Sequence, residues 1–202
     1  MANSENNRKL FEIASQQGGY FTAKQAFEAG YSYRLHNYHK HQGNWLSVDR
    51  GVFRLVEFPN SPHEDLIRWA LWSRNRQDTP QAVVSYETAL SIHELSDVMP
   101  GKTHITVPPK FRKQASGGVI HKAILKPEEI EKREGFFVTT PFRTIIDVAQ
   151  GNLSLEQVEK AIRDGFSRGL IKLEDFVKIE MSNEAKQKIR IALENIKNNP
   201  IF

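Results

Sequence analysis

The chain of 202 residues contains no cysteine. That absence excludes a disulfide framework and a thiolate metal site, and it suits a reducing compartment. Long apolar runs are also missing. No stretch approaches the roughly 20 residues a spanning helix needs, so no membrane segment is expected. The opening residues, Met1-Ala2-Asn3-Ser4-Glu5-Asn6-Asn7, lack the basic and apolar regions of an export signal. The expectation is a cytoplasmic, nucleoid-associated protein. Low-complexity tracts and internal repeats are absent as well. Charge is only mildly unbalanced, at a formal +4 and a pI near 9.2, so local clustering matters more than the total. The length allows two modest domains, each able to bury an ordinary core.

What is present concentrates between Tyr20 and Leu55. The β-like pair Tyr20-Phe21 precedes Thr22 and Gln25, whose spacing is that of a capping box and marks a helix start. That helix stops at Ala29-Gly30. Ser32 offers an N-cap for a second helix, Tyr33 to about Gln42, which Gly43 ends. Two helices only a few residues apart are what a helix-turn-helix requires. On the second helix, Leu35, Tyr38 and His39 are expected to face inward, and Arg34, Asn37, Lys40 and His41 to lie elsewhere. Trp45 to Val48 and Val52 to Leu55 then read as strands joined by Asp49-Arg50-Gly51, a hairpin or wing with Arg50 at its tip. Asn7 to about Gln16 supplies a supporting first helix through Leu10, Phe11, Ile13 and Ala14.

Within this stretch Lys24, Arg34, Lys40, Arg50 and Arg54 face only Glu28 and Asp49, leaving +3 before three histidines are considered. A phosphate backbone is the natural partner. The expected DNA-binding residues are Lys24, Ser32, Tyr33, Arg34, His36, Asn37, Lys40, His41, Arg50 and Arg54.

The prolines of Phe58-Pro59-Asn60-Ser61-Pro62 break the pattern. Ser61 and Glu64 again have capping-box spacing, so a connecting helix is expected from Pro62 to about Arg76. Beyond Ala82 strands and helices alternate: strand 82–85, helix Tyr86 to Leu95, strands His104–Val107, 119–124 and 136–139, then a helix capped by Thr140. Ser154 and Gln157 open an amphipathic helix, and Leu173 to about Asn198 reads as helical throughout. The fold class is therefore α+β: a winged helix-turn-helix over 1–58, a connecting helix over 59–78, and a mixed α+β domain over 79–202 with C-terminal helices.

Several phrases taken together resemble the AbiEi family of antitoxins and transcriptional regulators from bacterial abortive-infection toxin-antitoxin systems. The matching words include Gly19-Tyr20-Phe21-Thr22-Ala23-Lys24-Gln25-Ala26, Arg50-Gly51-Val52-Phe53-Arg54-Leu55, Ser85-Tyr86-Glu87-Thr88-Ala89-Leu90, His104-Ile105-Thr106-Val107-Pro108 and Thr140-Pro141-Phe142-Arg143-Thr144. The resemblance spans most of the chain. It implies a winged helix that binds repeated sites in the operon's own promoter, in the manner of a homodimer. It also implies an antitoxin-type C-terminal domain that counters a nucleotidyltransferase-like toxin. The chain departs from the family at His36, His39 and His41, where a more arginine-rich helix is expected.

Two other classes compete: a protein-interaction antitoxin whose winged helix is structural, and a phosphate-handling enzyme. For the enzyme, His104-Ile105-Thr106 is one His-x-Thr word, and two-histidine phosphoester chemistry needs two. Ser85, Glu87 and His93 are hydrolase residue types without a nucleophile elbow, and Ser85 suits a helix cap better. Arg143 and Asp147, one helical turn apart, read as an ion pair. No catalytic residue, cofactor or metal is expected.

Overall fold

Described by a computed structural model over residues 2–114, 117–177 and 181–199, the chain is a mixed α+β protein with two sheets. It divides into two compact units. The first comprises Met1–Ala82 together with Lys132–Phe137, and the second Val83–Glu131 together with Val138–Phe202.

In the first unit, α1 (Ala2–Ser15), β1 (Tyr20–Thr22), α2 (Ala23–Glu28), α3 (Tyr33–His41), β2 (Trp45–Asp49), β3 (Val52–Leu55) and α4 (Glu64–Trp72) follow in order. The start of α2 obeys its local chemistry. Thr22 Oγ1 accepts from Gln25 N at 3.1 Å, and Gln25 Oε1 accepts from Thr22 N at 2.8 Å, so both bonds of a capping box are made. The three strands form an antiparallel sheet in the order β1-β3-β2. Between β2 and β3 the chain reverses through Arg50 and Gly51, whose φ of +71° is a conformation that suits glycine. Leu10, Ala14, Phe21, Ala26, Ala29, Tyr31, Trp45 and Phe53 make the core.

The expected connecting helix belongs to this unit, because it buries Leu66, Ile67, Ala70 and Leu71. It is also shorter than its cap spacing implies. Ser61 Oγ is spent on His63 N at 3.3 Å, and the helix runs only over Glu64–Trp72. Past it, Ser73 Oγ accepts from Gln81 N and Ala82 N, both at 2.9 Å, which fixes the end of the segment.

The second unit contains β4 (Val83–Val84), α5 (Tyr86–His93), β5 (Thr103–Val107), β6 (Gly118–Lys122), β7 (Ile130–Lys132), β8 (Phe137–Thr139), α6 (Pro141–Gln150), α7 (Leu155–Ser167) and α8 (Asn183–Asn198), except that Lys132 of β7 and Phe137 of β8 are counted with the first. Its sheet has the order β6-β5-β4-β8-β7, with β4 antiparallel to β5 and parallel to β8, and β5 parallel to β6. The expected caps are in place: Thr140 Oγ1 accepts from Arg143 N and Ser154 Oγ from Gln157 N, each at 3.3 Å. Leu90, Ile145, Val148, Val158, Ile162 and Ile189 lie in a core built by these helices. The last expected helix is two pieces, a 3-10 segment over Leu173–Val177 and α8, which Ser182 caps through Ala185 N at 3.2 Å. The expectation of a helix over 178–180 falls outside the described residues. No helix among the described residues is long and apolar enough to cross a membrane.

Candidate nucleic-acid interface

In α3 the inward residue is His36, which is 3% exposed. Its Nε2 lies 2.9 Å from the carbonyl oxygen of Tyr31, and its ring packs against Trp45 and Phe53. A carbonyl accepts only, so this nitrogen carries the proton. Burial, the main cause, and the nearby Lys40 charge hold the His36 pKa below its ordinary value. His39 is partly buried and stacks on Trp45, with ring centroids 4.8 Å apart, while Asn44 donates to its Nδ1 at 3.1 Å. His39 therefore faces inward as expected, but the buried position on the helix is taken by His36 and not by Leu35 or Tyr38. Leu35 and Tyr38 are exposed. His36 is thus a packing residue and does not reach the outer surface. The reason is aromatic: the inclined rings of Trp45 and Phe53 pack against the His36 imidazole, Trp45 stacks on His39, and the Tyr31 carbonyl takes the His36 donor.

The outer face of α3 presents Arg34, Asn37, Tyr38, Lys40 and His41, all exposed, with Tyr33 at the helix's first turn. Arg34 and Lys40 form no salt bridge among the described residues. Ser32 occupies the N-cap position, but its hydroxyl makes no capping bond and is exposed. Its carbonyl instead accepts from Leu35 N and His36 N. Arg50 is exposed at the hairpin tip, where Asp49 Oδ1 accepts from its backbone N at 2.6 Å and leaves the guanidinium free of that carboxylate. Lys24 is half-exposed and already engaged: its Nζ donates to the Arg76 carbonyl at 3.2 Å and lies 3.9 Å from Glu28.

Arg54 is a second correction. It is 6% exposed, donates to the Phe58 carbonyl at 2.7 Å and to Asn60 Oδ1 at 2.6 Å, and lies 3.8 Å from Glu64. Its guanidinium also sits 5.8 Å from the centroid of the Tyr20 ring. Burial first, and the Glu64 carboxylate second, push the Tyr20 hydroxyl up to about 12. β3 is the central strand of the sheet and is buried from Val52 to Arg54, and the guanidinium is taken up by Phe58, Asn60 and Glu64, so no phosphate can reach it. Sequence reasoning counted its charge without its facing.

The structure also stacks Tyr33, an expected site residue, on an exposed aromatic that the sequence does not single out, Phe27. Phe27 is 57% and Tyr33 67% exposed, and their rings stack 5.8 Å apart at 24°. Phe27 lies three residues after Lys24 on α2, which places the two on one face. The cue was available in the helix spacing, but an exposed phenylalanine reads as core by default.

The second unit holds a separate polar group. His104 Nδ1 on β5 lies 2.8 Å from Glu87 Oε2 and 3.2 Å from His121 Nε2 on β6, and Tyr86 stacks on His121 at 3.6 Å. Burial, then the proximity of His104, keeps the His121 pKa low against the opposing pull of Glu87. Thr106 Oγ1 donates to the buried Ser85 Oγ at 2.8 Å, and His93 Nε2 lies 2.7 Å from the Thr139 carbonyl. Ser85 and His93 therefore do not meet as a hydrolase pair. Arg143 bridges Asp147 at 2.7 Å and Glu129 at 2.8 Å. The two carboxylates hold the Arg143 pKa up against burial, whereas burial dominates at Asp147 and pushes its pKa up to about 6. Among the described residues, no group of three or more His, Asp or Glu is placed to hold a metal ion.

No protein-family model and no curated protein matches the chain. Among solved structures, the fold is similar to the crystal structure of the RV2827C protein from Mycobacterium tuberculosis, with a TM-score of 0.52 and 14% sequence identity over 95% of this chain and 76% of that one. At that identity the likeness shows the fold alone.

Proposed function

We propose that the chain is a sequence-specific regulator that binds double-stranded promoter DNA through its first unit. In this reading the unit is a winged helix-turn-helix, α3 enters the major groove, and the β2–β3 hairpin is the wing. The observation that carries it is the outer face of α3, where Arg34, Asn37, Lys40 and His41 are exposed together without a competing carboxylate on the helix. Arg34 and Asn37 are suited to guanine and adenine edges, and Lys40 and Arg50 to phosphates. Lys24 contributes through its half-exposed ammonium, and Ser32 through a free hydroxyl at the helix start. His36 and Arg54 drop out of the interface because they are buried.

The AbiEi resemblance supports the wider role. The second unit then counters a nucleotidyltransferase-like toxin, two copies of the chain occupy repeated sites, and the protein works in the cytoplasm on the chromosome. The reading assigns no catalytic residue and no cofactor. Footprinting the purified full chain on the DNA upstream of its own gene tests it, with affinity followed from about 50 to about 200 mM salt. Protection of a discrete repeated sequence, weakening steeply with salt, is the expected result. Salt-independent binding, or none, would overturn the reading.

A further inference from the structure

We infer that Phe27 and Tyr33 form an apolar reader for the C5-methyl group of thymine, and so give the DNA-binding surface a preference that hydrogen bonding alone does not supply. This rests on the DNA-binding reading of the first unit. Three observations support it. The two rings are the most exposed aromatics at the α2–α3 junction, at 57% and 67%, yet they stack on each other at 24°. Tyr33 also meets the buried His36 ring, with centroids 5.2 Å apart at 63°. An aromatic pair braced by a core residue keeps a fixed apolar surface toward solvent, which is costly without a partner.

The surroundings select the partner. Lys24 lies one turn before Phe27, and Arg34 follows Tyr33 directly. Glu28 is the acidic neighbour on α2, and its carboxylate lies 3.9 Å from Lys24. The patch is therefore apolar and bordered by Arg34, which forms no salt bridge among the described residues, and by Lys24, which is shared with Glu28 and the Arg76 carbonyl; this border fits a methyl-bearing base edge inside a phosphate-lined groove. The first turn of α3 is the part of a recognition helix that meets base edges, and the major groove presents the thymine methyl as its one apolar group. Asn37, one turn after Tyr33, is placed for the adenine that follows or precedes such a thymine.

The test uses the full chain and its highest-affinity duplex selected from a random-sequence pool, remade with uracil in place of thymine. That change deletes methyl groups and leaves phosphates and hydrogen-bonding edges intact. The wild type is expected to lose roughly fourfold in affinity per methyl contacted. Phe27→Ala, at an exposed position, is expected to bind the thymine duplex more weakly and to show a smaller loss on going to uracil. An equal uracil penalty in wild type and Phe27→Ala, or no penalty in the wild type, would overturn the inference while leaving DNA binding in place. A Phe27→Ala chain that keeps its DNA affinity but changes its oligomeric state would also overturn it, by assigning the patch to protein contact. Failure to select any duplex would instead remove the DNA-binding reading, and this inference with it.

Discussion

His36 Nε2 lies 2.9 Å from the carbonyl oxygen of Tyr31, so a residue in the middle of α3 ties that helix to the turn before it. The contact explains why the polar face of α3 is where it is. It also makes the helix orientation depend on one imidazole wedged between Trp45 and Phe53.

Replacing His36 by Phe keeps an aromatic ring but leaves the Tyr31 carbonyl without its donor, at a cost of about 1 to 3 kcal/mol. The neutral wild-type ring is favoured in the fold, because its pKa is held below the ordinary 6.5. Its contribution is therefore complete above that value and declines as pH falls through it. Urea unfolding at a series of pH values is expected to show the wild-type advantage over His36→Phe shrinking from neutral pH toward acid. A gap that widens toward acid would contradict the assignment.

Arg54 and Arg34 are expected to separate cleanly. Arg54→Met breaks a buried guanidinium from Glu64, Asn60 and the Phe58 carbonyl, and is expected to cost about 3 kcal/mol of stability. Arg34→Ala is expected to leave stability almost unchanged and to cost about 1 to 3 kcal/mol of specific DNA binding. Arg50→Ala and Lys40→Ala are each expected to lower the magnitude of the salt slope by about one on any duplex. Thermal melts alongside binding isotherms decide it, and a stable Arg54→Met chain with a reduced salt slope would return that arginine to the interface.

Asp147 is 1% exposed and its pKa is pushed up to about 6 from an ordinary 3.8. The folded state therefore holds its proton more tightly than the unfolded chain. The stability this group contributes is present below about pH 4 and is lost as pH rises to about 6. Asp147→Asn mimics the protonated form and removes the titration, while Glu129 still faces Arg143 at 2.8 Å. Followed by circular dichroism in denaturant, the stability of the variant relative to wild type is expected to increase across that window. A flat difference would mean that Arg143 fully offsets the burial of the carboxylate.

Gly135 has a φ of +80°, and a Cβ there would lie 2.8 Å from Ile67 Cγ1 and 3.1 Å from the Gln17 backbone. Gly135→Ala is expected to destabilise the first unit by about 1 to 3 kcal/mol, through backbone conformation and crowding together. All three tryptophans, Trp45, Trp69 and Trp72, lie in that unit, so their fluorescence reads its unfolding. A fragment ending at Ala82 lacks the Lys132–Phe137 segment and the buried Phe136. It is expected to unfold at lower denaturant than the same unit in the full chain. Coincident midpoints would show that the returning segment adds nothing.

Local chemistry was legible in the sequence, and relations between distant residues were not. Thr22 with Gln25, Thr140 with Arg143, and Ser154 with Gln157 announced three helix starts, because a cap is completed within four residues. The β2–β3 reversal at Arg50-Gly51 was readable for the same reason. The facing of α3 was legible only in part. His39 is inward as its spacing suggests, but the helix is polar or aromatic almost all round, so no apolar stripe selects the rest, and Trp45 and Phe53 take His36 in place of Leu35 and Tyr38. Tertiary structure also decided that Arg54 is buried, that His104 meets His121 across parallel strands 17 residues apart, and that Lys132–Phe137 joins the first unit. Each of these depends on a partner far along the chain, and hydrophobic periodicity carries no information about which partner that is.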